Sequence, residues 1–132
     1  MSTWTPDQLT TIGAAEEVRI AVARRDGSLR RPVIVWVVQQ AEDLYVRSVN
    51  GRDAAWFRGA ASQPDGRFWA NGIEQDISFD DVSHQIALDD ALDTAYRTKY
   101  RHYAATIIDA ITGPQARAAT LKLLPRATTT NP

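Results

Sequence analysis

The stretch RFWANGIEQDISF, Arg67 to Phe79, decides the fold class. Asn71-Gly72 is the strongest two-residue hairpin signal, because both central residues of such a turn need positive φ. Alternation on either side gives two short strands, Arg67–Ala70 and Ile73–Phe79, and Ile73, Gln75, Ile77 and Phe79 share one face. A two-stranded ribbon is not stable alone, so the neighbouring segments must extend the sheet.

Upstream, Val18, Ile20 and Val22 alternate with Arg19, Ala21 and Ala23 in a half-buried strand over Glu17–Arg24, and Asp26-Gly27 turns the chain. Pro32–Val38 is apolar, β-branched and without alternation, which predicts a central barrel strand covered on both faces. A third strand follows over Leu44–Val49, running into the polar junction Ser48–Asp53. Such a strand-to-helix turn is either a plain turn or an anion site, since N–H groups and the helix dipole favour negative charge there.

The helical segments are separate from the strands. Thr5-Pro6-Asp7-Gln8 carries a capping box and a proline at the first helical position, with Gly13 as the stop. Asp53–Ser62 reads as a helix burying Trp56, Phe57, Ala60 and Ala61, ended by Pro64-Asp65-Gly66. Ser83 is expected to cap a long helix to about Tyr103, and Ala104–Ile111 either prolongs it or forms a second helix before Gly113-Pro114. Asp89, Asp90 and Asp93 then fall where the dipole favours acids and read as a solvated face. Ala119–Pro125 has the pattern of a last strand, and RATTTNP is expected to be a disordered tail over 127–132. Six short strands with segregated helices argue for an α+β barrel-like sheet rather than a doubly wound fold.

Composition bounds the function. With 132 residues, 44 % hydrophobic and 23 % charged, the chain is a single domain able to bury a core. A net charge of −1 gives no pull toward nucleic acid. No apolar run approaches the roughly 20 residues that span a bilayer, and MSTWTPDQL lacks a secretory pattern, so a cytoplasmic setting is expected. The absence of cysteine excludes thiolate nucleophiles and cysteine zinc sites. His84 and His102 sit at opposite ends of the expected helix, too far apart to share a metal. No Walker loop, G-x-G-x-x-G fingerprint or G-x-S-x-G elbow is present.

Residues 4 to 126 resemble the uncharacterised bacterial family called domain of unknown function 2255, through WTPDQL at Trp4–Leu9, VIVWVV at Val33–Val38, LYVRS at Leu44–Ser48, WF at Trp56-Phe57, AYRTKY at Ala95–Tyr100 and ARAATLKLLPR at Ala116–Arg126. Tyr45–Gly72 is also similar to the strand, turn, tryptophan helix and strand of deazaflavin-dependent nitroreductases, and RRPVIVW, Arg30–Trp36, to the phosphate-binding strands of the pyridoxamine phosphate oxidase group. The resemblance implies a split β-barrel of about six mostly antiparallel strands with flanking helices, a homodimer, and a flavin mononucleotide or deazaflavin at the barrel edge. It also implies residue roles. Ser48, Asn50 and Arg52 would meet the phosphate, with Arg31 adding a fork of donors. Val33, Ile34 and Val35 would lie along the ring, with Trp56 beneath it. Trp36 stands where the oxidase group tends to carry a lysine. Arg47 is a further anion-binding candidate, and Lys99 and Tyr103 would line the cleft from the helical half. Tyr96, Tyr100 and Tyr103, taken as exposed, add to the expectation of a dimer. Two functions follow: a flavin-type oxidoreductase whose cofactor carries the hydride chemistry, or a non-catalytic dimeric module binding some other small ligand or none.

Overall fold

The computed structural model describes residues 3–83 and 85–126, so His84 and the expected tail at 127–132 lie outside the described residues. Helix α1 (Pro6–Gly13) begins at the expected capping box, with Thr5 and Gln8 exchanging side-chain and backbone hydrogen bonds. Strands β1 (Val18–Val22), β2 (Val33–Val35), β3 (Val37–Gln40) and β4 (Asp43–Arg47) follow. After a 3₁₀ turn at Gly51–Asp53 come α2 (Ala55–Ser62), β5 (Asp65–Ala70), β6 (Ile73–Asp81), α3 (Ile86–Lys99), α4 (Ala105–Thr112), α5 (Pro114–Arg117) and β7 (Thr120–Pro125).

The seven strands form one antiparallel sheet in the order β2-β1-β5-β6-β7-β4-β3. It is the α+β split barrel that the sequence predicts. The β5–β6 hairpin turns at Asn71 and Gly72, with φ of 47° and 85°, the double positive φ that its sequence requires. Gly66 lets β1 and β5 close, since a Cβ there would stand 2.4 Å from the Ala21 carbonyl oxygen.

Pro32–Val38 is not one central strand. It breaks at Trp36 into β2 and β3, which occupy the two opposite ends of the strand order. The single bend at Trp36 therefore carries the chain from one sheet edge to the other and nearly closes the barrel. Carbonyls that leave the ladder there still need donors. Helix α3 supplies them: Tyr96 donates to the Trp36 carbonyl (3.0 Å), and Lys99 (2.7 Å) and Tyr100 (3.3 Å) donate to that of Val37. Both faces were expected to be covered, yet Ile34 is 59 % exposed because β2 is an edge strand. The strand covered on both faces is β4, whose Leu44 and Val46 face the barrel core while Tyr45 packs under the helices.

The helical half differs from expectation in three places. The Asp53–Ser62 segment splits into the 3₁₀ turn and α2, which buries Phe57 and Ala60 and leaves Ala61 exposed. Ser83 does not cap α3, which starts at Ile86. Its hydroxyl instead donates to Asp81 and accepts from the Thr120 N–H (3.0 Å), tying β6 to β7. Tyr96 and Tyr100 have no exposed surface and form a second core with Val38, Tyr45, Leu92 and Ile111. They are packing residues, not an exposed dimer face.

Candidate functional site

A cleft of about 390 Å³ opens beside the bend at Trp36. Val33, Ile34, Val35 and Trp36 line it from β2 and the bend, Val49 and Asn50 from the turn after β4, Trp56 from α2, and Ile107 and Ile111 from α4; Glu17 and Arg47 complete it. These walls come from five separate parts of the chain, which the fold brings together. Trp36 is fixed in place, its ring stacked on Tyr100 at 3.9 Å between centroids and 3° between planes. Ile34, Val49 and Ile107 give the cleft an apolar rim, exposed by 59, 45 and 46 %.

Arg47 is the cleft's floor, and its side chain has no exposed surface. A guanidinium carries five N–H donors, and here each has an acceptor. Nε donates to Thr120 Oγ1 (3.2 Å), Nη1 to Asp93 Oδ1 (2.5 Å) and the Ile111 carbonyl (3.1 Å), and Nη2 to the Asp89 carbonyl (3.2 Å) and Asp89 Oδ1 (3.4 Å). Tyr96 packs its ring 5.5 Å from the guanidinium carbon. The acids expected on a solvated face are thus partly internal: Asp89 and Asp93 turn inward to balance Arg47, and only Asp90 is exposed, paired with Arg117 (2.9 Å). A buried arginine requires such partners, and the sequence signal was the arginine itself in an otherwise apolar strand.

Of the residues the sequence singles out, the cleft gathers Val33, Ile34, Val35, Arg47, Asn50 and Trp56. It does not include Arg31, Ser48, Arg52, Lys99 or Tyr103 among its lining. Ser48 is buried, and its hydroxyl has no hydrogen-bond partner among the described residues. Arg31 is exposed. Arg52 turns to Asp81 (3.0 Å), the Ala118 carbonyl (2.9 Å) and the face of Phe57. Burial raises the Asp81 carboxyl, but the Ser83 and Arg52 hydrogen bonds outweigh that and leave it below its usual range. Neither Arg31 nor Arg52, expected to share a positive notch, lines this cleft.

Lys99 lies in a different groove, of about 310 Å³, between α3 and β3 with Gly13 at its end. Desolvation lowers its pKa to about 8. Tyr103 donates to Glu16 Oε2 (2.8 Å), and His102 meets Glu16 Oε1 (3.1 Å). Those two contacts hold the Glu16 carboxyl below its ordinary value. Cleft residues not singled out from the sequence are Glu17, Val49, Ile107 and Ile111, and the place of Glu17 and the two isoleucines depends on how β1 and α4 pack. Among the described residues no group of three or more histidines and acids could hold a metal, and no helix is long and apolar enough to cross a membrane.

The lining suits the ring of a flavin-type group and not its phosphate. Flat apolar walls and two tryptophans suit a ring, whereas Arg47 has no donor left for a phosphate.

A family model described as an uncharacterised protein conserved in bacteria, DUF2255, matches residues 8–123. No curated protein shows significant similarity to the chain. Among solved structures, an F420 reductase is similar with a TM-score of 0.57 at 12 % identity, covering 91 % of this chain and 92 % of that one. A FAD-binding protein from Mesorhizobium loti is similar at 0.55 and 17 % identity, covering 93 % and 89 %. The heme storage protein HutZ from Vibrio cholerae is similar at 0.59 and 13 % identity, covering 98 % and 93 %. At these identities the likeness is one of fold, and the neighbours' names refer to different groups, F420, FAD and heme.

Proposed function

The chain belongs to the DUF2255 family of uncharacterised bacterial proteins, and from that premise we propose that its cleft beside Trp36 holds a flavin-type ring and that the protein is a cytoplasmic, homodimeric oxidoreductase. The observation that carries this is the wall itself. A cleft near the lower end of the usual 300–1,000 Å³ range, mostly apolar with a few polar groups, is suited to one flat ring system. Redox chemistry would be the ring's own. The chain supplies apolar contact from Val33, Val35 and Ile111, an amide at Asn50 and a carboxylate at Glu17. Solved neighbours named for F420 and FAD on the same fold support the same class of ligand.

Freshly purified protein is expected to absorb in the visible or, if it loses the ring on purification, to show saturable quenching on titration with a flavin or deazaflavin. Neither signal with protein at about 10 μM, an affinity floor near −7 kcal/mol, would refute the proposal. A second reading, a non-catalytic binding module, is favoured by the sealed arginine and by a cleft that offers one carboxylate and no histidine. Ring binding without electron transfer to an added acceptor would select it. The homodimer is checked by light scattering.

A further inference from the structure

The cleft has a charge character as well as a shape. Its one cation, Arg47, is sealed, with all five donors occupied and two carboxylates against it. Arg52 is committed to Asp81 and the Ala118 carbonyl, away from the lining. Lys99 faces another groove, and an uncharged indole, Trp36, occupies the bend. On the other side of the balance, Glu17 lines the cleft and is exposed, and its carboxylate has no hydrogen-bond or ion-pair partner among the described residues. An anion entering this cleft meets a carboxylate and no free guanidinium within the lining.

We propose that the cleft selects an uncharged or cationic flat ring without a phosphate, of the riboflavin kind, over its phosphorylated nucleotide. This rests on the proposed ring-binding role and narrows its ligand class. Phosphate sites are built from forked guanidinium donors or exposed backbone N–H groups. Here the forked donor nearest the ring wall is spent inside the protein. The N-terminus of α2, whose N-cap Ala54 makes no side-chain hydrogen bond, brings Trp56 to the cleft, and no forked cationic donor comes with it. Glu17 instead favours a ring N–H or a positive charge, whose partner it becomes. A volume of about 390 Å³ also suits a single ring system with a short arm better than a dinucleotide.

The test is a pair of fluorescence titrations, riboflavin against flavin mononucleotide, at about 20 mM and about 500 mM salt, across which exposed charges pass from weakly to strongly screened. Riboflavin is expected to bind about three- to tenfold more tightly at low salt, the gap closing at high salt. A tenfold ratio corresponds to about 1.4 kcal/mol. Glu17→Gln, at an exposed position, is expected to narrow the gap, because losing the ring contact weakens both ligands alike whereas losing the repulsion favours the nucleotide alone. A tenfold preference for flavin mononucleotide, lost in Arg31→Ala, would overturn the proposal and return Arg31 to a phosphate-binding role while leaving ring binding standing. Failure of both ligands to bind at about 10 μM, near −7 kcal/mol, would refute the ring-binding role and this inference with it.

Discussion

Arg47 Nη1 stands 2.5 Å from Asp93 Oδ1, with the arginine side chain wholly out of solvent and the aspartate nearly so. The pair fastens β4 to α3, and Asp89 completes it on the same guanidinium. Breaking such a buried group by removing one partner leaves uncompensated charge, at a cost of about 3–5 kcal/mol. Arg47→Leu is therefore expected to lose that much in urea unfolding. A loss below about 1 kcal/mol, the range of an exposed pair, would show that the aspartates are solvated.

Arg52 is expected to behave oppositely. Its side chain is 46 % exposed and its partner Asp81 30 %, so Arg52→Ala should cost no more than about 1 kcal/mol of stability. Because Arg52 does not line the cleft, ligand affinity should stay within about twofold, less than 0.5 kcal/mol. A tenfold weakening in the same titration would put Arg52 at the ligand after all.

Lys99 gives a stability signature in pH. Burial lowers its folded pKa to about 8 from an ordinary 10.5, so the unfolded chain binds the extra proton between those values. Stability contributed by this group therefore rises as pH goes from about 8 toward 10.5 and is lowest below 8. Lys99→Met removes the penalty, and the Val37 carbonyl keeps its bond from Tyr100. The variant should be the more stable protein at pH 7, and its advantage should shrink by pH 10, as followed by urea midpoints. An advantage that does not change with pH would contradict the assignment.

Gly66→Ala probes the barrel closure. The added methyl meets the Ala21 carbonyl oxygen at 2.4 Å, a backbone atom that cannot turn aside, so β1 and β5 must part. Overpacking of this kind costs about 1–3 kcal/mol. Gly72→Ala, which meets nothing within 4 Å but keeps a φ of +85°, should pay only the left-handed strain, roughly 1 kcal/mol. A thermal melt that ranks the two the other way would count against the β1–β5 register.

Much of the fold was legible because its signals are local. The Asn71-Gly72 hairpin, the Thr5 capping box and the alternation in β1, β5 and β6 each follow from a few adjacent residues. The bend at Trp36 was not, since nothing inside VIVWVV says that its two halves belong to opposite sheet edges; the donors that permit the break, Tyr96, Lys99 and Tyr100, lie some 60 residues on. The site divides the same way. Val33, Val35 and Asn50, which the resemblance singled out, line the cleft because they sit on local strand and turn geometry. The fate of the arginines depended on tertiary partners. Arg47 found Asp89 and Asp93 across the helix, and Arg52 found Asp81 on β6. Formal charge in a sequence does not reveal which charges are already balanced.

The most direct measurement is electron density for the ring in crystals of the protein grown with riboflavin. Density is expected between the Val33–Trp36 wall and Trp56, in contact with Ile107 and Ile111 and with Glu17 at its polar edge, the Arg47 guanidinium remaining on its two aspartates. A ring seated in the groove by Lys99, or a cleft left to solvent at saturating ligand, would contradict the account.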